Sequence, residues 1–162
     1  MPEFDTKKNY FIKNGYPFSE SILHEKTYEL LSIFGSSKFI YDNFKNDDFL
    51  FTRIKELERQ KISETIISIA IISRNLIDED NFNNAAIKNK IVGNINNKNV
   101  SFRDACSKIV HSNNINFNIE NSNNIFDGYL NPIIYLFGEK NKNQWKLELK
   151  IIDFCSCAGN II

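Results

Sequence analysis

The stretch ISETIISIAIISRNLI, residues 62–77, decides the fold, because its sixteen residues make either a buried helix or a run of strand. Ile62, Ile66, Ile69, Ile72 and Leu76 recur at steps of three and four, and Ile67, Ala70, Ile71 and Ile77 widen the stripe. A helix that is apolar around most of its circumference is a buried one. Isoleucine is β-branched and suits pleated surfaces, but buried strands run about 4–8 residues, and this pattern persists for sixteen. Ser63, Glu64, Ser68 and Ser73 interrupt it, and it falls short of the roughly 20 apolar residues of a membrane span. Asp78, Glu79 and Asp80 follow at once. The helix dipole disfavours anions in a last turn, so the helix is predicted to stop at Ile77, at the centre of the core.

Upstream, scattered aromatics with Gly15 and Pro17 predict an irregular arm over residues 1–18. Ser19 can cap a helix running to Phe34, with Glu20 in its first turn. Its apolar face would be Ile22, Leu23, Tyr28, Leu30, Leu31, Ile33 and Phe34, and Gly35 would end it. A short helix over 37–44 would turn Ile40, Tyr41 and Phe44 inward. Asp47 or Asp48 then caps a helix over 49–59, with Phe49, Leu50, Ile54 and Leu57 inward. Arg53, Lys55, Glu56, Glu58, Arg59 and Lys61 would be its solvated, mixed-sign face. This helix can run into the central stretch as one long helix with a bend.

Downstream, residues 85–92 predict a short helix and 93–99 a loop. Ser101 and Asp104 resemble a capping box with Asp in place of Glu or Gln. Phe102, Ala105, Cys106, Ile109 and Val110 follow at helical spacing, giving an amphipathic helix of about ten residues. The asparagine-rich residues 112–124 read as loop or weak edge strand. Pro132 opens the apolar run 133–137, residues 138–143 form a polar turn, and Trp145, Leu147, Leu149 and Ile151 alternate with Lys146, Glu148 and Lys150. Strict alternation predicts a strand with one wet face and Trp145 inward. The two runs form an antiparallel hairpin, and the tail from Asp153 returns as a short helix or end strand. The predicted class is α+β: a mostly helical bundle of four to six helices with a C-terminal antiparallel β-hairpin, in a single domain over residues 1–162.

At 162 residues, 42% hydrophobic and 13% aromatic, the composition is that of a folded globule. Zero formal charge argues against a general nucleic-acid binder, which needs a basic face. Three cysteines, Cys106, Cys155 and Cys157, show no disulfide framework spacing, and the first residues show no apolar signal region. A cytoplasmic protein is expected. Cys155-Ser156-Cys157 lacks the two-residue gap and the second ligand pair of a zinc knuckle. The cysteines therefore read as core thiols, and neither metal nor cofactor is expected. No phosphate-cradling glycine loop, nucleophile elbow or His-Glu-x-x-His helix occurs.

The best candidate site lies on the 101–111 helix. Arg103, Ser107 and His111 are spaced four apart and share one polar face, with Asp104 and Lys108 beside them. His111 falls at the helix C-terminus, where the dipole favours a cation. An Arg and a His on one face can bind a phosphate or act on RNA; the plainer reading is an exposed polar face with His111 at its end. Arg74 leaves a buried helix and needs either water or a partner. Pairing with Asp78, Glu79 or Asp80 is its structural reading, and a place in a pocket near His111 its functional one.

The run FRDACSKIVH over 102–111 is preceded by a helix ending in Arg74 and its acidic neighbours and followed by a strand, a turn and a Trp-containing strand. Over residues 60–157 this order is similar to a pattern in small bacterial proteins. In size and composition the chain resembles the immunity proteins of bacterial toxin systems, such as contact-dependent growth inhibition. That resemblance implies a non-catalytic, cytoplasmic protein that binds one toxin, often a nuclease, and occludes it. Arg74, Arg103, Ser107, Lys108 and His111 would then be binding residues. A weaker resemblance is to the HEPN ribonucleases, helical bundles with an Arg-x4-6-His motif. It implies an alternative, RNA cleavage or RNA binding by Arg103 and His111, although seven residues separate the two here.

Overall fold

The computed structural model describes residues 11–13, 16–18, 20–78, 84–121 and 128–161, with side chains from residue 21 onward. Two long helices, α1 (Glu20–Phe44) and α2 (Asp48–Ile77), form its largest element pair. The 30-residue α2 starts at Asp47, whose carboxylate accepts the Leu50 N–H at 3.1 Å, and it ends at Ile77 as predicted. The central isoleucine stretch is its second half. Ile62, Ile66, Ile69 and Ile77 are at most 1% exposed, each burial contributing about 1.5–3 kcal/mol. Ile67 remains 42% exposed, so the rod is buried on one side, not all round.

Because α2 is one rod, the isoleucines set the phase of the whole helix. Steps of four, seven and eleven residues back from Ile62 reach Glu58, Lys55 and Phe51, and these side chains face inward, at 7%, 4% and 5% exposure. The predicted polarity of the 49–59 segment is thereby overturned at several positions, although Arg53, Glu56 and Lys61 are exposed as expected. Phe49 and Leu57, expected inward, are 77% and 58% exposed, while Lys55 and Glu58, expected outside, are buried. Read alone, that segment shows an apolar stripe; joined to sixteen residues of stronger preference, it follows their phase.

The same logic corrects α1. Gly35 does not end the helix, which continues as 25 residues to Phe44. Leu23, Thr27, Leu30, Phe34 and Ser37 recur at steps of four and three and form its buried face. Packing on both sides of Gly35 offsets the roughly 1 kcal/mol that a mid-helix glycine costs. Tyr28, Leu31 and Phe44, expected inward, are exposed, and so is Phe39.

The buried polar pair is internally satisfied in part. The Lys55 ammonium lies 2.9 Å from the Glu58 carboxylate and donates to Ser37 Oγ at 3.0 Å. Ser37 Oγ also accepts the Leu130 N–H at 3.0 Å. One hydroxyl thus joins α1, α2 and the sheet. Burial raises the Glu58 carboxyl above its usual range, against the opposing pull of Lys55.

A short helix α3 (Ala85–Asn89) precedes the sheet strands β3 (Ile91–Ile95) and β4 (Lys98–Ser101). The predicted loop over 93–99 is therefore a hairpin, and the predicted 85–92 helix stops early because Ile91 and Val92 join β3. Asn96 and Asn97 take φ of 49° and 66°, the two left-handed residues of a tight hairpin turn. After α4 (Phe102–Val110) come β5 (Asn114–Glu120), β6 (Tyr129–Lys140), β7 (Asn143–Lys150) and α5 (Ile151–Gly159). The order is β4-β3-β7-β6-β5, every pair antiparallel. The fold is thus α+β, and the C-terminal hairpin β6–β7 is the middle of a five-stranded sheet. The turn is shorter than predicted, Asn141 and Lys142 at φ 52° and 66°. Pro132 lies inside β6 and not at its start, beside the irregularity in β5 and beyond the β7 ladder, where its missing N–H is tolerated. The arm predicted as irregular contains a small antiparallel pair, β1 (Phe11–Lys13) and β2 (Tyr16–Phe18). The Ser19 cap lies outside the described residues, as do Glu79 and Asp80.

Alternation along β6 and β7 sends Ile134, Leu136, Trp145, Leu147 and Leu149 into the core shared with the helices. Phe102 of α4 and Phe154 of α5 meet there, ring centroids 5.3 Å apart. Among the described residues no helix is long and apolar enough to cross a membrane.

Candidate functional site

The fourth helix is capped as its sequence suggests. Ser101 Oγ accepts the Asp104 N–H at 3.2 Å and donates to the Asp104 carboxylate at 2.9 Å. Phe102, Ala105, Cys106 and Ile109 are buried, which leaves Arg103, Ser107, Lys108 and His111 toward solvent.

These polar residues divide between two places. The Arg103 Nε donates to Asp78 at 2.9 Å, and the Arg74 Nε lies 4.0 Å from the other oxygen of the same carboxylate. Asp78 caps the C-terminus of α2, so both arginines are gathered at that helix end. The pairing expected of Arg74 is the one found; that of Arg103 was not foreseen, since only the fold brings α4 beside α2. His111 is two turns further along, about 12 Å by helical rise, where its backbone N–H caps α4 on Ser107 and Lys108 carbonyls.

Ser107, Lys108 and His111 instead line an open pocket of about 710 Å³, within the roughly 300–1,000 Å³ of ligand sites. Its second wall is the β3–β4 hairpin, through Ile95, Lys98 and Val100, and its third is the β6–β7 end, through Glu139, Lys140 and Trp145. Lys98 pairs across from Ile95, so it faces the helix side of the sheet. Trp145 is 7% exposed and lies across Gly138, where a Cβ would fall 2.1 Å from the indole. The Lys108 ammonium sits 4.6 Å from the indole centroid, a cation–π contact that holds the charge at the pocket wall. Lys98, Lys108 and Lys140 make no ion pair among the described residues. Sequence reasoning missed Lys98, Lys140 and the role of Trp145 as a wall; the Asn-Asn turn signal at 96–97 was the clue to the first.

Further exposed apolar side chains lie on the outer sides of the two long helices. Tyr28 and Phe39 lie eleven residues apart on the outer side of α1, at 75% and 64% exposure. Leu50 and Leu57 lie seven apart on the outer side of α2, with Phe49 near its start. Their spacing puts each pair on one helix face.

The three thiols are buried and free. Burial pushes Cys155 up to about 12 and Cys106 and Cys157 also upward. Such thiols make poor nucleophiles. Among the described residues no group of three or more His, Cys, Asp or Glu side chains is placed to hold a metal.

Fold and site together define an α+β protein with a five-stranded antiparallel sheet, a lysine-lined pocket and exposed apolar side chains on the outer sides of α1 and α2. No family model, no curated protein and no solved structure matches the chain.

Proposed function

We propose that this protein is a non-catalytic protein-binding module that neutralises a bacterial toxin, in the manner of an immunity protein, in the cytoplasm. The observation that carries the binding role is the exposure of Tyr28, Phe39, Phe49 and Leu57 on two well-packed helices. Large aromatic side chains held rigidly in solvent are the composition of interface centres. Neighbouring charges, including Arg53 over the Phe49 ring at 5.7 Å and the Lys38–Asp42 pair, give the face a polar rim. The partner class rests on the resemblance in size and composition to toxin-immunity proteins. The mechanism is occlusion: the α1–α2 face covers the toxin's active surface.

Co-expression with the products of the neighbouring genes, among which a toxin domain is expected, tests this. Wild type protects cells and co-purifies with the toxin; Phe39→Glu and Phe49→Glu keep the far-ultraviolet spectrum and melting temperature but lose affinity by about thirtyfold or more. Unchanged protection by both variants removes this face from the reading. The alternative, RNA cleavage through Arg103 and His111, predicts that purified protein degrades RNA and that His111→Ala abolishes it. We do not adopt it, because Arg103 is held by Asp78 while His111 lines the pocket.

A further inference from the structure

We infer that the pocket between α4 and the two hairpins binds a small phosphate monoester, of the size of a sugar phosphate or mononucleotide. The site shares no residue with the α1–α2 face and stands whether or not that face binds a toxin. Three separate elements each bring one lysine to it: Lys98 from β4, Lys108 from α4 and Lys140 from the end of β6. None of the three has a carboxylate within ion-pair distance among the described residues. In a chain of zero net charge, with most helix charges paired, three unpaired ammonium groups around one concavity leave a local demand for an anion. Asp104 and Glu139 also line the pocket, so three ammonium groups leave it a formal charge of about +1; Asp104 accepts the Ser101 hydroxyl, and neither carboxylate lies within ion-pair distance of the three lysines.

A phosphate monoester suits this set better than a carboxylate. Its dianion presents three terminal oxygens, one for each of several donors, and charge-assisted hydrogen bonds to ammonium groups are the stronger kind. Lys108 is already held in place on the Trp145 ring, so less of its freedom is lost on binding. Val100 and the edge of Trp145 supply apolar wall for the organic body, and His111 at the rim adds a ring nitrogen that can donate to phosphate or hydroxyl. The volume, about 710 Å³, exceeds what phosphate alone would fill.

The chain's single tryptophan is the reporter, since Trp145 is part of the wall. Full-length protein is titrated with ribose 5-phosphate, uridine 5′-monophosphate, uridine and inorganic phosphate, following emission on excitation at the red edge and, in parallel, heat of binding. Saturable binding of both esters below about 1 mM is expected, with no response to uridine and a weaker one to inorganic phosphate. Lys98→Gln/Lys140→Gln leaves Lys108 on the indole and should weaken the esters by about tenfold or more, as should raising the salt. The inference is overturned by no saturable binding of either ester, by equal binding of inorganic phosphate, or by an unchanged affinity in the double variant that retains the wild-type circular dichroism.

Discussion

Gly138 has no side chain in the one place where the sheet must leave room for an indole. Trp145 is its cross-strand partner, and the ring occupies the position a Cβ would take, 2.1 Å from it. Gly138→Ala therefore forces the indole off its seat or bends β6, an overpacking expected to cost about 1–3 kcal/mol. Urea denaturation should show the lower midpoint, and near-ultraviolet circular dichroism the altered tryptophan environment; an unchanged midpoint and spectrum would mean the ring has another place to lie. That Trp145 points inward was readable from the alternation with Lys146 and Glu148. That it forms a wall for Lys108 was not, because the wall needs a helix separated from it by more than thirty positions in the chain. Arg74 shows the same limit: its partner Asp78 is four residues away and legible, whereas Arg103 reaches that carboxylate only through the packing of α4 on α2.

At the scale of elements, glycine and asparagine carried the ambiguity. Gly35 follows an apolar run and resembles a helix stop, yet it sits inside a continuous helix, exposed, with nothing within 4 Å of an added Cβ. Gly35→Ala is expected to stabilise the protein by about 0.5–1 kcal/mol, through the smaller entropy loss of alanine. Thermal melting decides it, because a left-handed stop at this position would make the same change destabilising. The 93–99 segment went the other way: its asparagines read as loop, while Asn96 and Asn97 in fact make a two-residue turn between strands. Isolated propensity could not separate the two, since Asn serves loops and left-handed turns alike. The α4 cap, by contrast, was legible to the residue, because capping is a contact over three positions and needs no tertiary partner.

For the molecule as a whole, the buried Lys55–Glu58 pair ties two helices to the sheet through Ser37. Lys55→Met alone leaves a buried carboxylate without its cation and is expected to cost about 3–5 kcal/mol, while Lys55→Met/Glu58→Leu should recover most of that loss. Urea midpoints of both variants check it; equal losses would mean the pair is not coupled. The pH dependence has a definite sign. Burial holds the Glu58 carboxyl above its usual 4.5, so the folded state keeps that proton longer than the unfolded chain does. Its contribution to stability is greatest below that value and declines as pH rises through 4.5 toward the raised value. Glu29 acts oppositely: its hydrogen bond from Lys26 lowers its carboxyl, and that stability is lost as pH falls. Glu58→Gln should therefore gain on wild type as the pH is raised between about 4 and 7, measured by denaturation at each pH. The sequence by itself determined the isoleucine helix and its end, the α4 cap and the Trp-bearing hairpin, all set by contacts or periodicities within a few turns of chain. Only the tertiary structure decided which way the first half of α2 faces and which lysines share a pocket. A rod has a single phase, which its most strongly buried half imposes on the rest, and a pocket exists only where separate elements have met.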